Sequence, residues 1–136
     1  MADNKTVVRR LFEEVVNQGA LPVTGELLDP EFEATMPTGS MNVDGFKEFV
    51  TGWRAGFSDL HCDVRELIAE GDTAAWSVWC TGTNDGDFMG IPATGRTIAF
   101  NSVNIAHFRD GRVYRHTGML DMLGMMQQLG VPAGVS

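Results

Sequence analysis

Clustered positive charge is missing from this chain, and its absence excludes the most. Ten Lys and Arg stand against eighteen Asp and Glu, for a formal net charge of −8, and only Arg9 and Arg10 are adjacent. Nucleic acids and anionic membrane surfaces are bound through grouped basic side chains, so neither is an expected partner. No apolar run approaches the length that crosses a bilayer. The opening residues, Met1 to Lys5, are polar and carry no apolar leader segment, so the expected location is the cytoplasm. Cysteine is scarce: Cys62 and Cys80 form no CxxC pair, and both stand among apolar residues. Buried free thiols are the expectation. Histidine and cysteine lack zinc-ligand spacing, which argues against a metal site. No Walker loop, strand-borne GxGxxG or GxSxG elbow occurs, so a nucleotide cofactor and a serine-hydrolase site are not expected either.

What remains is the composition of a small globular domain. Of 136 residues, 43% are hydrophobic and 21% charged, enough for a core and too few charges for disorder. One domain over residues 1–136 is expected. Val7, Val8, Leu11, Phe12, Val15 and Val16 recur at helical spacing, and Asn17-Gln18-Gly19 ends that helix. A shorter helix is predicted from Val23 to Leu28, then an extended piece from Phe32 to Met36 and a loop over Pro37–Ser40. A third helix carries Phe46, Phe49, Val50, Trp53 and Phe57 on one face.

From Leu60 onward the period changes to that of strands. Leu60, Cys62 and Val64 alternate with polar residues, and Leu67-Ile68 break the phase as a β-bulge would. Glu70-Gly71-Asp72 is a hairpin turn, and Thr73–Thr83 the next strand. A Gly- and Pro-rich loop, Asn84–Gly95, leads to a long strand, Thr97–Phe108. Arg109-Asp110-Gly111 turns the chain into the last strand, Arg112–Leu120. Asp121–Leu129 closes as a helix stopped by Gly130 and Pro132. Helices first and hairpin-joined strands afterwards predict an α+β domain with an antiparallel sheet.

Three segments then stand in a telling order. They are Leu67–Asp72, the loop Gly82–Arg96, and Phe108-Arg109-Asp110-Gly111-Arg112-Val113 followed by His116 and Asp121. Together with the leading helices they resemble the SnoaL-like group of the NTF2-like proteins over nearly the whole chain. The resemblance implies a cone-shaped α+β barrel, dimeric or tetrameric, around an apolar pocket. It also implies polyketide cyclases that close rings by intramolecular aldol addition without a cofactor. In such cyclases an Asp at the end of the last strand is the acid/base group, the position of Asp121, and a His on the preceding strand matches His107. Thr117 and Ser77 depart from the commoner pattern, an aromatic residue and an Arg respectively, which speaks against an Arg–Asp pair of the epoxide hydrolase kind.

One carboxyl group can serve as base and then acid if its pKa lies near working pH. Apolar neighbours Met119, Leu120, Met122 and Leu123 are expected to bury Asp121 and raise its pKa; the competing role is a helix cap. His107 is expected to assist at the oxyanion, whereas His116 is read as structural and His61 as a surface residue. Strand parity is taken to put Ser77, Trp79 and Thr81 inward. With Trp53, Met36, Phe88 and Met119 these would line a pliable apolar pocket. A hydroxylation component, an epoxide-opening enzyme and a non-catalytic carrier of an apolar small molecule remain open beside the cyclase.

Overall fold

The computed structural model describes residues 3–37 and 39–130; Pro132, expected to stop the last helix, lies outside them. Helix α1 (Asn4–Arg10) starts where Asp3 accepts the Thr6 amide at 2.8 Å, and runs directly into a π-helical segment, Leu11–Val16. The wider turn, closed by Asn17 N–H donating to Phe12 O at 2.8 Å, keeps both adjacent pairs, Leu11-Phe12 and Val15-Val16, in the core. Each such side chain contributes about 1.5–3 kcal/mol by leaving water. A 3₁₀ turn (Leu21–Val23) and the short α2 (Thr24–Leu27) replace the second predicted helix, and Leu28 already belongs to β1 (Leu28–Met36). The three-residue β2 (Gly39–Met41) occupies part of the predicted loop. Helix α3 (Val43–Gly56) is capped by Asn42, which accepts the Gly45 amide at 2.9 Å.

The rest is a strand meander: β3 (His61–Glu70), β4 (Thr73–Thr83), β5 (Thr97–Arg109) and β6 (Arg112–Leu120), followed by α4 (Met122–Gln128). Asp110 and Gly111, with φ of 53° and 79°, make the tight left-handed turn that an Asp-Gly pair favours. The register of β3 on β4 shifts between Val64 and Leu67, the bulge expected from the broken phase. Leu67 and Ala69 thereby stay packed against the core while Ile68 points outward.

All six strands form one sheet in the order β2-β1-β6-β5-β4-β3. It is mixed, not antiparallel throughout: β1 lies parallel to β6, with Ala34 opposite His116. A parallel pair needs a long crossover, and nearly the whole chain between β1 and β6 supplies it, so no local signal announces the pairing. Residues alternate strictly across β4 and β5. Trp76, Val78, Cys80, Phe100, Ser102 and Asn104 face the helices, while Ser77, Trp79, Val103, Ile105 and His107 face the other way. The predicted parity of β4 is therefore reversed. Both faces carry a tryptophan, so hydrophobicity could not set the phase. No helix among the described residues is long and apolar enough to cross a membrane.

Candidate active site

Between α3 and the inner face of β1, β5 and β6 lies a cavity of about 370 Å³, the size of a small-molecule site. Its walls include Met36, Phe49, Trp53, Phe88, Phe100 and Met122. A narrower recess of about 40 Å³ shares Met36, Met41, Phe49, Trp53, Phe100 and Leu120 with it and reaches the polar side chains Ser102, Asn104 and His116. Phe49 and Trp53 are stacked at 5.4 Å with their rings 7° apart, one turn from each other on α3, so they present a flat aromatic wall.

The mouth is held by the loop between β4 and β5. Asn84 is completely buried; its Nδ2 donates to Gly56 O and Gly86 O, and its Oδ1 accepts from the Thr94 amide and hydroxyl. Those bonds press Gly86 against the Ala55 carbonyl so closely that any Cβ would collide with it. Phe88 is thereby seated edge-on against Phe57, 5.1 Å between centroids, with Met89 beside it at the cavity mouth. Sequence reading missed Asn84; a single Asn opening a Gly-rich loop was its sole signal.

The predicted site residues divide sharply. Trp53, Met36 and Phe88 line the cavity. Ser77, Trp79, Met119 and His107 lie together on the opposite face of the sheet and line neither this cavity nor its recess. Ser77 Oγ accepts the Glu66 amide at 3.3 Å, and Trp79 lies under the Arg65 guanidinium at 5.4 Å. Met119 sits across from Val103 and is 60% exposed. His107, between Thr73 and Arg115 in the ladder, has its Nδ1 3.3 Å from Thr73 Oγ1. It cannot touch a molecule in the cavity, because the sheet stands between them.

Asp121 is not buried as expected. Its side chain is exposed, and Oδ1 accepts the Gly124 amide at 2.8 Å as the cap of α4. Its neighbours Leu120 and Met122 line the cavity; Asp121 itself is not among the lining residues. Among the described residues Oδ2 has no hydrogen-bond partner, which leaves one oxygen for the cap and one free.

The histidine on the inner face is His116, which lines the recess. It is 6% exposed and stacked on Trp76 at 5.6 Å, with Nε2 2.9 Å from Asn104 Oδ1. Asn104 Nδ2 in turn donates to Ser102 Oγ at 3.2 Å. Burial pushes the His116 imidazole down from 6.5 to about 4, so it is neutral at pH 7. The unfolded chain then binds the extra proton at a higher pH than the folded one. Stability falls as pH drops from 6.5 toward 4, by roughly 2–3 kcal/mol at pH 4.5. Urea unfolding at pH 7 and 4.5 should therefore show a smaller acid loss in His116→Phe than in wild type. Equal losses would mean that His116 is not held neutral by burial.

Two features do not take part. Cys62 and Cys80 face each other across β3 and β4 as buried free thiols, Sγ to Sγ 3.1 Å. Their hydrogen bond and their burial push the Cys62 thiol up, away from thiolate chemistry. No group of three His, Cys, Asp or Glu side chains among the described residues is placed to hold a metal.

The chain and its fold have counterparts among known proteins. Residues 6–129 match the family of SnoaL-like polyketide cyclases. The chain belongs to that family. Aklanonic acid methyl ester cyclase AcmA of Streptomyces galilaeus is 33% identical over 137 residues, 97% of this chain and 94% of the relative. Aklanonic acid methyl ester cyclase DnrD of Streptomyces peucetius is 29% identical over 120 residues, 88% of this chain and 74% of its own length. The crystal structure of IdmH from Streptomyces antibioticus superposes with a TM-score of 0.84 at 27% identity, covering 96% of this chain and all (100%) of that one. As a SnoaL-like protein the chain is an enzyme of the polyketide cyclase type with the family's α+β fold. The order of motifs had implied both.

Proposed function

We propose that this SnoaL-like chain closes a ring in a polyketide-like carbonyl compound by cofactor-independent intramolecular aldol addition. The observation that carries the reading is the 370 Å³ apolar cavity, walled by the Phe49–Trp53 stack, in a chain whose curated relatives are named as cyclases. In such a closure a base removes a proton α to one carbonyl. The resulting enolate carbon bonds to a second carbonyl carbon, and the alkoxide formed there takes a proton. Every atom of the substrate is kept. An apolar wall favours the folded substrate conformer and excludes water from the enolate. Asp121 is the acid/base group of this reading: it stands between two lining residues and keeps Oδ2 free while Oδ1 caps α4. His107, on the outer face, has no part in it.

Binding is tested first. An aromatic ketone titrated into the protein should quench fluorescence, and Trp53→Phe should remove most of that quench, because Trp76 lines neither cavity and Trp79 faces outward. A full quench in the variant would place the ligand elsewhere.

The same reading makes the protein a homodimer or larger homo-oligomer working in the cytoplasm, where Cys62 and Cys80 stay reduced. Val103, Ile105 and Met119 are 60%, 47% and 60% exposed and adjoin on the outer face of β5 and β6. Such a patch is a surface that association covers. Light scattering at micromolar concentration should give at least twice the chain mass, and Val103→Asp should shift it toward the monomer. A monomeric wild type would contradict this part of the reading.

A further inference from the structure

The floor of the cavity carries a donor–acceptor order that the apolar walls do not explain. His116 Nε2 lies 2.9 Å from Asn104 Oδ1, and the Asn104 amide points its Nδ2 at Ser102 Oγ, 3.2 Å away. With Asn104 in that orientation, Oδ1 is an acceptor, so the proton of the imidazole sits on Nε2. Nδ1 is left with a lone pair, and it is buried with no hydrogen-bond partner in the protein. An orphaned acceptor in an apolar interior is costly unless something donates to it. The ring cannot swing away, because it is stacked on Trp76 with an interplanar angle of 14°.

The recess that His116 lines is about 40 Å³ and adjoins the main cavity, sharing Trp53 and Phe100 with it. That is room for a hydroxyl on the edge of a ring, not for another ring. From this geometry we infer that the substrate enters with a hydroxyl donor, phenolic or enolic, at its leading edge, and that His116 Nδ1 accepts that hydrogen bond. The inference rests on the proposed function for the statement that the ligand is a substrate, and adds its chemical class: a hydroxyaromatic or enolic compound. His116 is then a specificity-determining residue. It stays neutral through binding, and no proton needs to leave the hydroxyl. A neutral acceptor at this point also rejects a carbonyl or ether oxygen, whose lone pairs would face that of Nδ1.

The test uses 2-naphthol, 2-methoxynaphthalene and naphthalene as probes, followed by tryptophan fluorescence. Wild type should bind 2-naphthol about tenfold more tightly than either of the other two, the gain of one buried hydrogen bond. The naphthalene arm separates this from mere exclusion of the larger methyl ether. His116→Phe keeps the aromatic stack and removes the acceptor; it should bind all three within about twofold. Equal binding of the three by wild type, or a naphthol preference that persists in His116→Phe, would overturn the inference. Should that variant fail to fold, nitrogen NMR of histidine-labelled wild type decides. His116 can be assigned through His61→Gln and His107→Gln, both exposed positions. Its Nδ1 should resonate as an unprotonated nitrogen and shift with 2-naphthol but not with naphthalene. A protonated Nδ1, or no shift, would equally overturn the inference. Neither readout needs turnover, so failure here leaves the cyclase reading standing, and failure of turnover leaves the hydroxyl subsite standing.

Discussion

Asp121→Asn should retain fold, assembly and ligand binding, yet lose on the order of two to four decades of turnover, the usual worth of a positioned acid/base group. The substitution is chosen because Asn caps a helix nearly as well as Asp. The bond from the Gly124 amide to Oδ1 has a counterpart in the Asn carboxamide oxygen. What disappears is the group that can give and take a proton at Oδ2. Asp121→Ala should add a stability loss of about 1 kcal/mol on top of the same catalytic defect, because the cap is then gone. Urea unfolding and steady-state turnover on both variants separate the two roles. If Asp121→Asn turns over at the wild-type rate while Asp121→Ala is merely less stable, Asp121 is a cap and nothing more, and the proton must be handled elsewhere in the cavity.

Filling the cavity from α3 should weaken binding while strengthening the fold. Gly52 lies in the interior of that helix, lines the cavity, and has open space where a Cβ would stand. Glycine costs a helix interior about 0.5–1 kcal/mol relative to a good helix former. Gly52→Leu should therefore raise the unfolding midpoint by a corresponding amount. Its side chain would occupy space beside the Phe49–Trp53 stack and weaken binding of an aromatic ketone by at least about tenfold, the cost of one lost apolar contact area. Stability and binding moving in opposite directions is the signature sought. Most substitutions that damage a site through misfolding move both downward together. Unchanged affinity in a stable Gly52→Leu protein would show that the ligand does not use this cavity.

How far the sequence speaks differs element by element. β4 and β6 run over the residues that alternation predicts, Thr73–Thr83 and Arg112–Leu120, because both are bounded by turns whose chemistry is local. The bulge in β3 was visible as a broken phase at Leu67-Ile68. The parallel pairing of β1 with β6 was not, since the partners are about eighty residues apart and nothing local encodes the contact. The π-helical segment follows from which side chains the core can take, not from a local code.

The site shows the same division. Trp53 was readable from the apolar stripe of a helix, whereas Met36 at a strand end and Phe88 in a Gly-rich loop carried no periodic signal. Ser77 and Trp79 were misplaced together, because one wrong choice of face in a two-sided strand moves every side chain with it; His107 and Met119, on β5 and β6, were not part of that choice. Because Trp76 and Trp79 stand three residues apart on a two-residue period, they must lie on opposite faces, and the sequence does not say which is inside. His116 could be distinguished from His107 only after the register had put it opposite Ala106, with its ring against Asn104 on the inner face.

On the proposed function, this cavity runs a ring closure that needs nothing but the chain and its substrate. Purified protein incubated in plain buffer with an aromatic polyketide bearing a side-chain ketone, and followed by mass spectrometry and absorbance, tests it most directly. The expected product has unchanged mass with altered chromatographic retention and ultraviolet spectrum, and forms at a rate that Asp121→Asn lowers by at least about a hundredfold. A product heavier by one oxygen or one water would identify a hydroxylation or an epoxide opening instead. Tight binding with no product across a panel of such compounds would make the cavity a carrier and contradict the claim.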